Sequence, residues 1–127
     1  VAVGMNGLHI IAEFHDCACP PALLREVSAL RALCLSACGA PGLTVVAEAF
    51  HGFGSVEAPA GATGAVVLAE SHLAVHTWPE LAGATLDLYV CNFSQDNRAA
   101  AETAFAKLRD AFMPARIVRR DVERGMP

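Results

Sequence analysis

Little in this chain is charged or aromatic. Asp, Glu, Lys and Arg make up 17% of its 127 residues and Phe, Trp and Tyr 6%, against 54% hydrophobic residues. That imbalance excludes a disordered chain, which needs low hydrophobicity and high charge. Long apolar runs are missing too: no stretch approaches the ~18 consecutive apolar residues of a membrane-spanning helix. Basic residues are few, 9 against 13 acidic ones, for a net charge of -4. No nucleic-acid partner is expected, because such domains neutralise several phosphates with a basic face. The one dense basic cluster, Arg116, Arg119 and Arg120, reads more simply as a solvated edge strand.

The five cysteines are an odd number, and no basic segment leading into an apolar one opens the sequence. Reduced thiols and a cytoplasmic location are therefore expected. Cys17-x-Cys19 and Cys34-x3-Cys38 do not form the paired knuckles of a structural zinc site. Cys34 and Cys38 instead fit the apolar face of a helix.

The length suits one domain, residues 1–127, whose apolar surplus is carried largely by alanine. Leu8–His15 reads as a strand. Pro20 and Pro21 open a helix that runs to Cys38 and ends at Gly39, Pro41 and Gly42. Leu43–Phe53 is a second strand, Gly54–Gly64 a loop, and Ala65–Ala69 a short strand. Leu73–Trp78 continues extended to Pro79, and Ala84–Val90 alternates as a strand. A helix ends near Phe112, and Arg116–Val122 forms the last strand. Both helices pack on one face of the sheet, which leaves the other face in need of a partner.

The segment from Ala69 to Glu80 concentrates two of the five histidines, the only tryptophan, two carboxylates and two hydroxyls. Three chemistries compete for it. His72 and His76 at i, i+4 could share a metal on a helix, but in an extended strand their rings lie about 13 Å apart. Ser71 with a histidine and Asp87 could form a hydrolase triad, yet the Gly-x-Ser-x-Gly turn that exposes such a nucleophile is missing. Alternatively, Ser71 could attack the carbonyl of Glu70. The resulting ester, lost by β-elimination, would leave dehydroalanine and then a pyruvoyl group, a ketone that no side chain supplies.

Glu70-Ser71-His72 followed by His76-Thr77-Trp78-Pro79-Glu80 resembles the signature of the short prokaryotic S-adenosylmethionine decarboxylase proenzymes. The likeness extends through Ala12-Glu13-Phe14, Phe50-His51 with Phe53, Gly61-Ala62-Thr63-Gly64, Asp87-Leu88-Tyr89-Val90-Cys91 and Val122-Glu123-Arg124-Gly125. It thus covers nearly the whole chain in order. The resemblance implies cleavage between Glu70 and Ser71, into a β chain (1–70) and an α chain (71–127), with Ser71 becoming the pyruvoyl cofactor. That group would form a Schiff base with the substrate amine, and no metal is implied. Cys91 matches the family's proton donor and His76 its processing base. Thr63 stands where the family usually carries a serine that assists processing, and its β-branch restricts the rotamer. Phe53 and Trp78 are candidates for stacking on adenine or for facing the sulfonium charge, unless they simply fill the core. Glu80 matches the carboxylate that binds the ribose hydroxyls.

Five extended residues put Ser71 and His76 about 16 Å apart, far beyond the roughly 3 Å reach of a general base. A symmetric homodimer with shared sites resolves this, His76 and Thr63 of one copy facing Ser71 and Cys91 of the other. The expected fold is α+β: a two-layer sandwich of a mainly antiparallel sheet with helices on one face, pairing into the family's αββα four-layer sandwich. The implied reaction converts S-adenosylmethionine to decarboxylated S-adenosylmethionine and CO2 for spermidine and other polyamine synthesis. Two alternatives stand beside it: a same-fold arginine or ornithine decarboxylase, and an unprocessed, non-catalytic homologue. The long Gly54–Gly61 stretch leaves room for a shifted specificity.

Overall fold

The computed structural model describes residues 5–93 and 95–125. Its first strand, β1 (Gly7–Cys17), buries Leu8, Ile10, Ala12 and Phe14 on one side and leaves His9, Ile11, Glu13 and His15 on the other. Pro21 then starts a helix where a missing N–H costs nothing. The single helix expected up to Cys38 is instead two, α1 (Pro21–Arg25) and α2 (Val27–Gly39), separated by an extended Glu26 with φ -104° and ψ 126°. The break redirects the chain: α1 packs on β3 (Pro59–Leu68) and β4 (Ser71–Trp78), while α2 packs on α3 (Arg98–Phe112), β3 and β2 (Val45–Gly54). Hydrophobic spacing at Leu24 and Leu30 satisfies a continuous helix and a bent one equally, which is why the pattern concealed it. The remaining strands are β5 (Gly83–Cys91) and β6 (Pro114–Arg124), with a 3-10 turn at Pro79–Leu81.

All six strands form one sheet in the order β2-β3-β4-β5-β1-β6, and every neighbouring pair is antiparallel. Most of the expected Gly54–Gly64 loop is strand. The turn shrinks to residues 55–58, closed by the Ala58 amide donating to Ser55 Oγ at 3.0 Å and the Ser55 amide to Ala58 O at 3.2 Å. Glycine and alanine carry no strand propensity, so it is pairing of Ala62–Gly64 with β2, joined from Thr63 onward by β4, that draws this stretch into the sheet. Gly64 has a further task. Phe50 lies opposite it on β2, and a Cβ there would meet the Phe50 ring at 2.0 Å.

The three helices among the described residues all cover one face. Phe14, Val66, Val75, Leu86 and Leu88 from the sheet meet Leu30, Cys34, Leu108 and Phe112, all essentially inaccessible to solvent. Ala37, Ala101 and Ala104 are fully buried as well, so the alanine surplus lets the helices lie close to the sheet and to each other. Among the described residues nothing covers the opposite face: Val67, His72, Ala74, His76, Thr85, Asp87 and Tyr89 all point that way and stay partly or fully exposed. The arginine cluster does sit on an edge strand, β6. Arg119 forms a bidentate pair with Glu102, also binds Asp121, and lies 4.6 Å over the Phe105 ring. Both carboxyls are held below their usual range chiefly by hydrogen bonds from Arg119.

Gly64→Ala should displace the Phe50 ring and destabilise the fold by about 1–3 kcal/mol, read as a lower urea midpoint with unchanged slope. Gly39→Ala, where an added Cβ meets nothing within 4 Å, should be neutral or stabilising by up to about 1 kcal/mol.

Candidate active site

Cross-strand register assembles the first group of residues. Thr63 on β3 lies directly opposite His76 on β4, and their side chains share a short hydrogen bond between Thr63 Oγ1 and His76 Nδ1. With Nδ1–H as the donor, Nε2 is left as a base. The next residue along β4 fixes the local geometry. Thr77 points inward, where its Oγ1 accepts from the Ala62 amide at 2.9 Å and donates to Ala62 O at 3.3 Å. Gly61, at φ 112°, allows the chain to press against Pro79 and Thr77 O, which a Cβ would meet at 3.0 and 3.1 Å. The 3-10 turn then presents Glu80. Together, Phe53, Ala60, Ala62, Thr63, His76, Thr77, Trp78 and Glu80 line a cavity of about 310 Å³. Phe53 is 49% exposed and Trp78 44%, so both rings flank this cavity rather than filling the core.

The second group gathers at the other end of β4. Leu68 pairs with Ser71, so Ala69 and Glu70 form a two-residue hairpin loop. Such loops favour glycine or asparagine at positive φ. Glu70 occupies that conformation at φ 66°, costing about 1–2 kcal/mol, immediately before the Glu70–Ser71 bond. Ser71 is buried, and its Oγ accepts from the Cys91 amide at 3.2 Å. Asn97 Nδ2 in turn donates to Cys91 O at 2.7 Å, tying the end of β5 to the start of α3. Cys91 is the one half-exposed thiol. Burial pushes the thiols of Cys17 and Cys38 up to about 11 and that of Cys34 to about 12, and it raises Cys19 as well.

The two groups do not meet within one chain. Ser71 and His76 share a straight strand, about 16 Å apart. The odd separation also places Ser71 on the helix-covered side with Leu73 and Val75, and His76 on the open side with His72 and Trp78. Asp87 is no partner for Ser71 either. It faces the open side and pairs with His9 at 3.1 Å, so the hydrolase triad is not assembled. His72 and His76 lie along an extended strand, not on one helical face. The residues around Ser71 fit a pyruvoyl precursor: a serine held by a backbone amide, after a strained peptide, next to an accessible thiol.

Sequence reasoning missed one cluster on the open face, His9, His72, Tyr89 and Arg124. Tyr89 stands 5.5 Å from the His72 ring and 6.3 Å from His9, with Arg124 over its own ring at 4.7 Å. The alternation of Thr85, Asp87, Tyr89 and Cys91 along β5 was the available signal. Burial, His9 and Arg124 lower the pKa of His72 from its ordinary value. Replacing Thr77 by Val, which cannot satisfy the Ala62 amide, should cost about 1–3 kcal/mol, measured by chemical unfolding. Trp78 fluorescence should also change, because the cavity wall loses its anchor.

A family model described as S-adenosylmethionine decarboxylase matches residues 8–125. The S-adenosylmethionine decarboxylase proenzyme of Thermosipho melanesiensis is 42% identical over 90 residues, covering 71% of this chain and 65% of that protein. The chain thus spans a little under two thirds of that relative's length. The proenzyme of the same name from Acidithiobacillus ferrooxidans is 34% identical over 119 residues, 94% of this chain and 82% of that one. Among solved structures, the adenosylmethionine decarboxylase from Aquifex aeolicus matches with a TM-score of 0.83 at 32% identity, covering 97% of this chain and 93% of its own. With a strained Glu70–Ser71 junction beside Cys91, an aromatic-flanked cavity at the far end of β4, and matches along nearly its full length, this chain belongs to the S-adenosylmethionine decarboxylase family.

Proposed function

We propose that this chain is a self-processing, pyruvoyl-dependent decarboxylase of S-adenosylmethionine that works as a symmetric pair with shared sites. The observation that carries the proposal is the Glu70–Ser71 junction, with Glu70 at φ 66° and Ser71 Oγ held by the Cys91 amide. In processing, Ser71 Oγ attacks the Glu70 carbonyl carbon, the C–N bond breaks and an ester forms. A base then takes the Ser71 Cα proton, the Glu70 carboxylate leaves, and the unsaturated residue tautomerises and hydrolyses with release of ammonia. His76 Nε2 is that base and Thr63 steadies its ring. Relief of the left-handed strain at Glu70 favours cleavage over the intact chain.

The pyruvoyl group supplies an electrophilic ketone that draws electrons from the amine-bearing carbon as CO2 leaves. Everything else falls to this chain's side chains. Phe53 and Trp78 hold the adenine and face the sulfonium charge, and Glu80 accepts hydrogen bonds from the ribose hydroxyls. The cavity of about 310 Å³ lies at the small end of ligand pockets, which run from about 300 to 1,000 Å³. Cys91 protonates the carbon that has lost CO2. The product carries an aminopropyl group suited to spermidine synthesis, and the unpaired thiols suit a cytoplasmic setting.

The separation of the two groups of residues supports pairing. A twofold axis on the open sheet face would bring His76, Thr63 and the cavity of one copy to Cys91 and to the backbone of Ser71, whose Cα proton is the target, in the other, while Ser71 Oγ stays turned to the helix-covered side. It would also cover Ile11 and Val67, which are 37% and 46% exposed on that face, and give a four-layer αββα sandwich.

The purified chain should run as two fragments, 1–70 and 71–127, on denaturing gels and release CO2 from S-adenosylmethionine but not from arginine or ornithine. Ser71→Ala should remain uncut and inactive; CO2 release from the uncut variant would refute the pyruvoyl mechanism. Thr63→Ala should slow cleavage about 10- to 100-fold, while Thr63→Ser should cleave at least as fast as the parent.

A further inference from the structure

At the end of the sheet, Cys91 on β5, Gly7 on β1 and Arg124 on β6 lie in one cross-strand row. The middle position is empty of side chain, and Tyr89 uses that space. A Cβ on Gly7 would lie 2.6 Å from both Cε1 and the hydroxyl of Tyr89, so the phenol lies across Gly7 with its tip beside the row that holds Cys91. Arg124 closes over the ring from the other side, its Cζ 4.7 Å from the centroid. Tyr89 and Cys91, two residues apart, face the same side of β5.

We propose that Tyr89, seated over Gly7 and backed by Arg124, is a positioning residue that aims the Cys91 thiol and stabilises the thiolate left when its proton has gone. The inference rests on the reading of Cys91 as proton donor. In that step the S–H bond breaks, the proton goes to the substrate carbon, and the negative charge stays on sulfur until solvent returns a proton. Tyr89 donates its O–H to that charge, while Arg124, on the ring face, adds a cation within the same few ångströms. The phenol suits the task because burial, followed by the charge and hydrogen bond of Cys91, raises its pKa above the ordinary value, with Arg124 opposing. It therefore remains protonated as a donor. The other groups facing it are the rings of His72 and His9 and, behind His9, the Asp87 carboxylate. Burial, His9 and Arg124 lower the His72 pKa, with Asp87 opposing, which disfavours a competing cation there. The polar cavity beyond Asn92, lined by Asp96, Arg98, Glu123 and Arg124, borders the same row.

The test uses the full-length Ser71→Ala protein, so it does not depend on cleavage or turnover. Iodoacetamide is the probe, and the four other thiols are buried, which leaves Cys91 to report. Tyr89→Phe keeps the ring and removes the hydroxyl; Gly7→Ala keeps the hydroxyl and pushes it off the row. In both, alkylation at pH 7 should slow roughly three- to fivefold, the loss of one hydrogen bond partly offset by a more nucleophilic sulfur. The slowing should disappear or reverse as the pH is raised towards about 10, because the sulfur without its hydrogen bond is the better nucleophile. Rates equal to the parent at every pH, or slowed by one constant factor throughout, would overturn the proposal, the second outcome marking a purely steric effect.

Discussion

Strand β4 has a period of two, and an odd separation of five residues lies between Ser71 and His76. That geometry places the two side chains on opposite faces and about 16 Å apart. No rotamer change closes such a gap while the strand keeps its pairs on both sides, β3 and β5. The proposed site is therefore split into two halves. One end has the strained Glu70 junction, Ser71 and Cys91; the other has Thr63, His76 and the cavity between Phe53 and Trp78. The proposed function depends on bringing together two ends that one copy keeps apart.

The rest of the fold serves to hold β4 straight and one face bare. Helices α1, α2 and α3 all pack on the same side, and small residues such as Ala37, Ala101 and Ala104 let them do so closely. Opposite them the sheet shows His72, His76, Trp78, Asp87 and Tyr89, a mixed polar and aromatic surface that none of the described residues covers. Buried Thr77 and Ser71 anchor each end of β4 through backbone amides of β3 and β5. Site residues are thus aligned by ladder hydrogen bonds and not by flexible loops.

Much of this was legible before the structure. Strands β1, β5 and β6 and helix α3 follow from alternation, helical spacing and proline stops, and the bare face follows from having helices on one side only. Two features were hidden. Glu26 interrupts a run whose apolar spacing suits one helix, because the bend is set by the separate surfaces that α1 and α2 cover. Ala60–Gly64 looks like a loop because, Thr63 apart, its residues lack side chains that prefer strands; pairing with β2, and from Thr63 onward with β4, imposes the extension, and Phe50 fills the space above Gly64. At the site, Ser71, His76 and Cys91 were singled out by the motif. Tyr89 was passed over although it shares a face with Cys91, since what gives it a role is the gap at Gly7, and that gap exists only once β1 and β5 are in register.

A mixed pair of His76→Ala and Ser71→Ala chains, co-expressed with different tags and purified on both, tests the shared site most directly. Each variant alone lacks either the base or the serine. In the mixed pair, His76 of the Ser71→Ala chain faces Ser71 of the His76→Ala chain, so the account predicts that the His76→Ala chain is cut between Glu70 and Ser71. A mixed pair in which both chains stay intact, as in either variant alone, would contradict it.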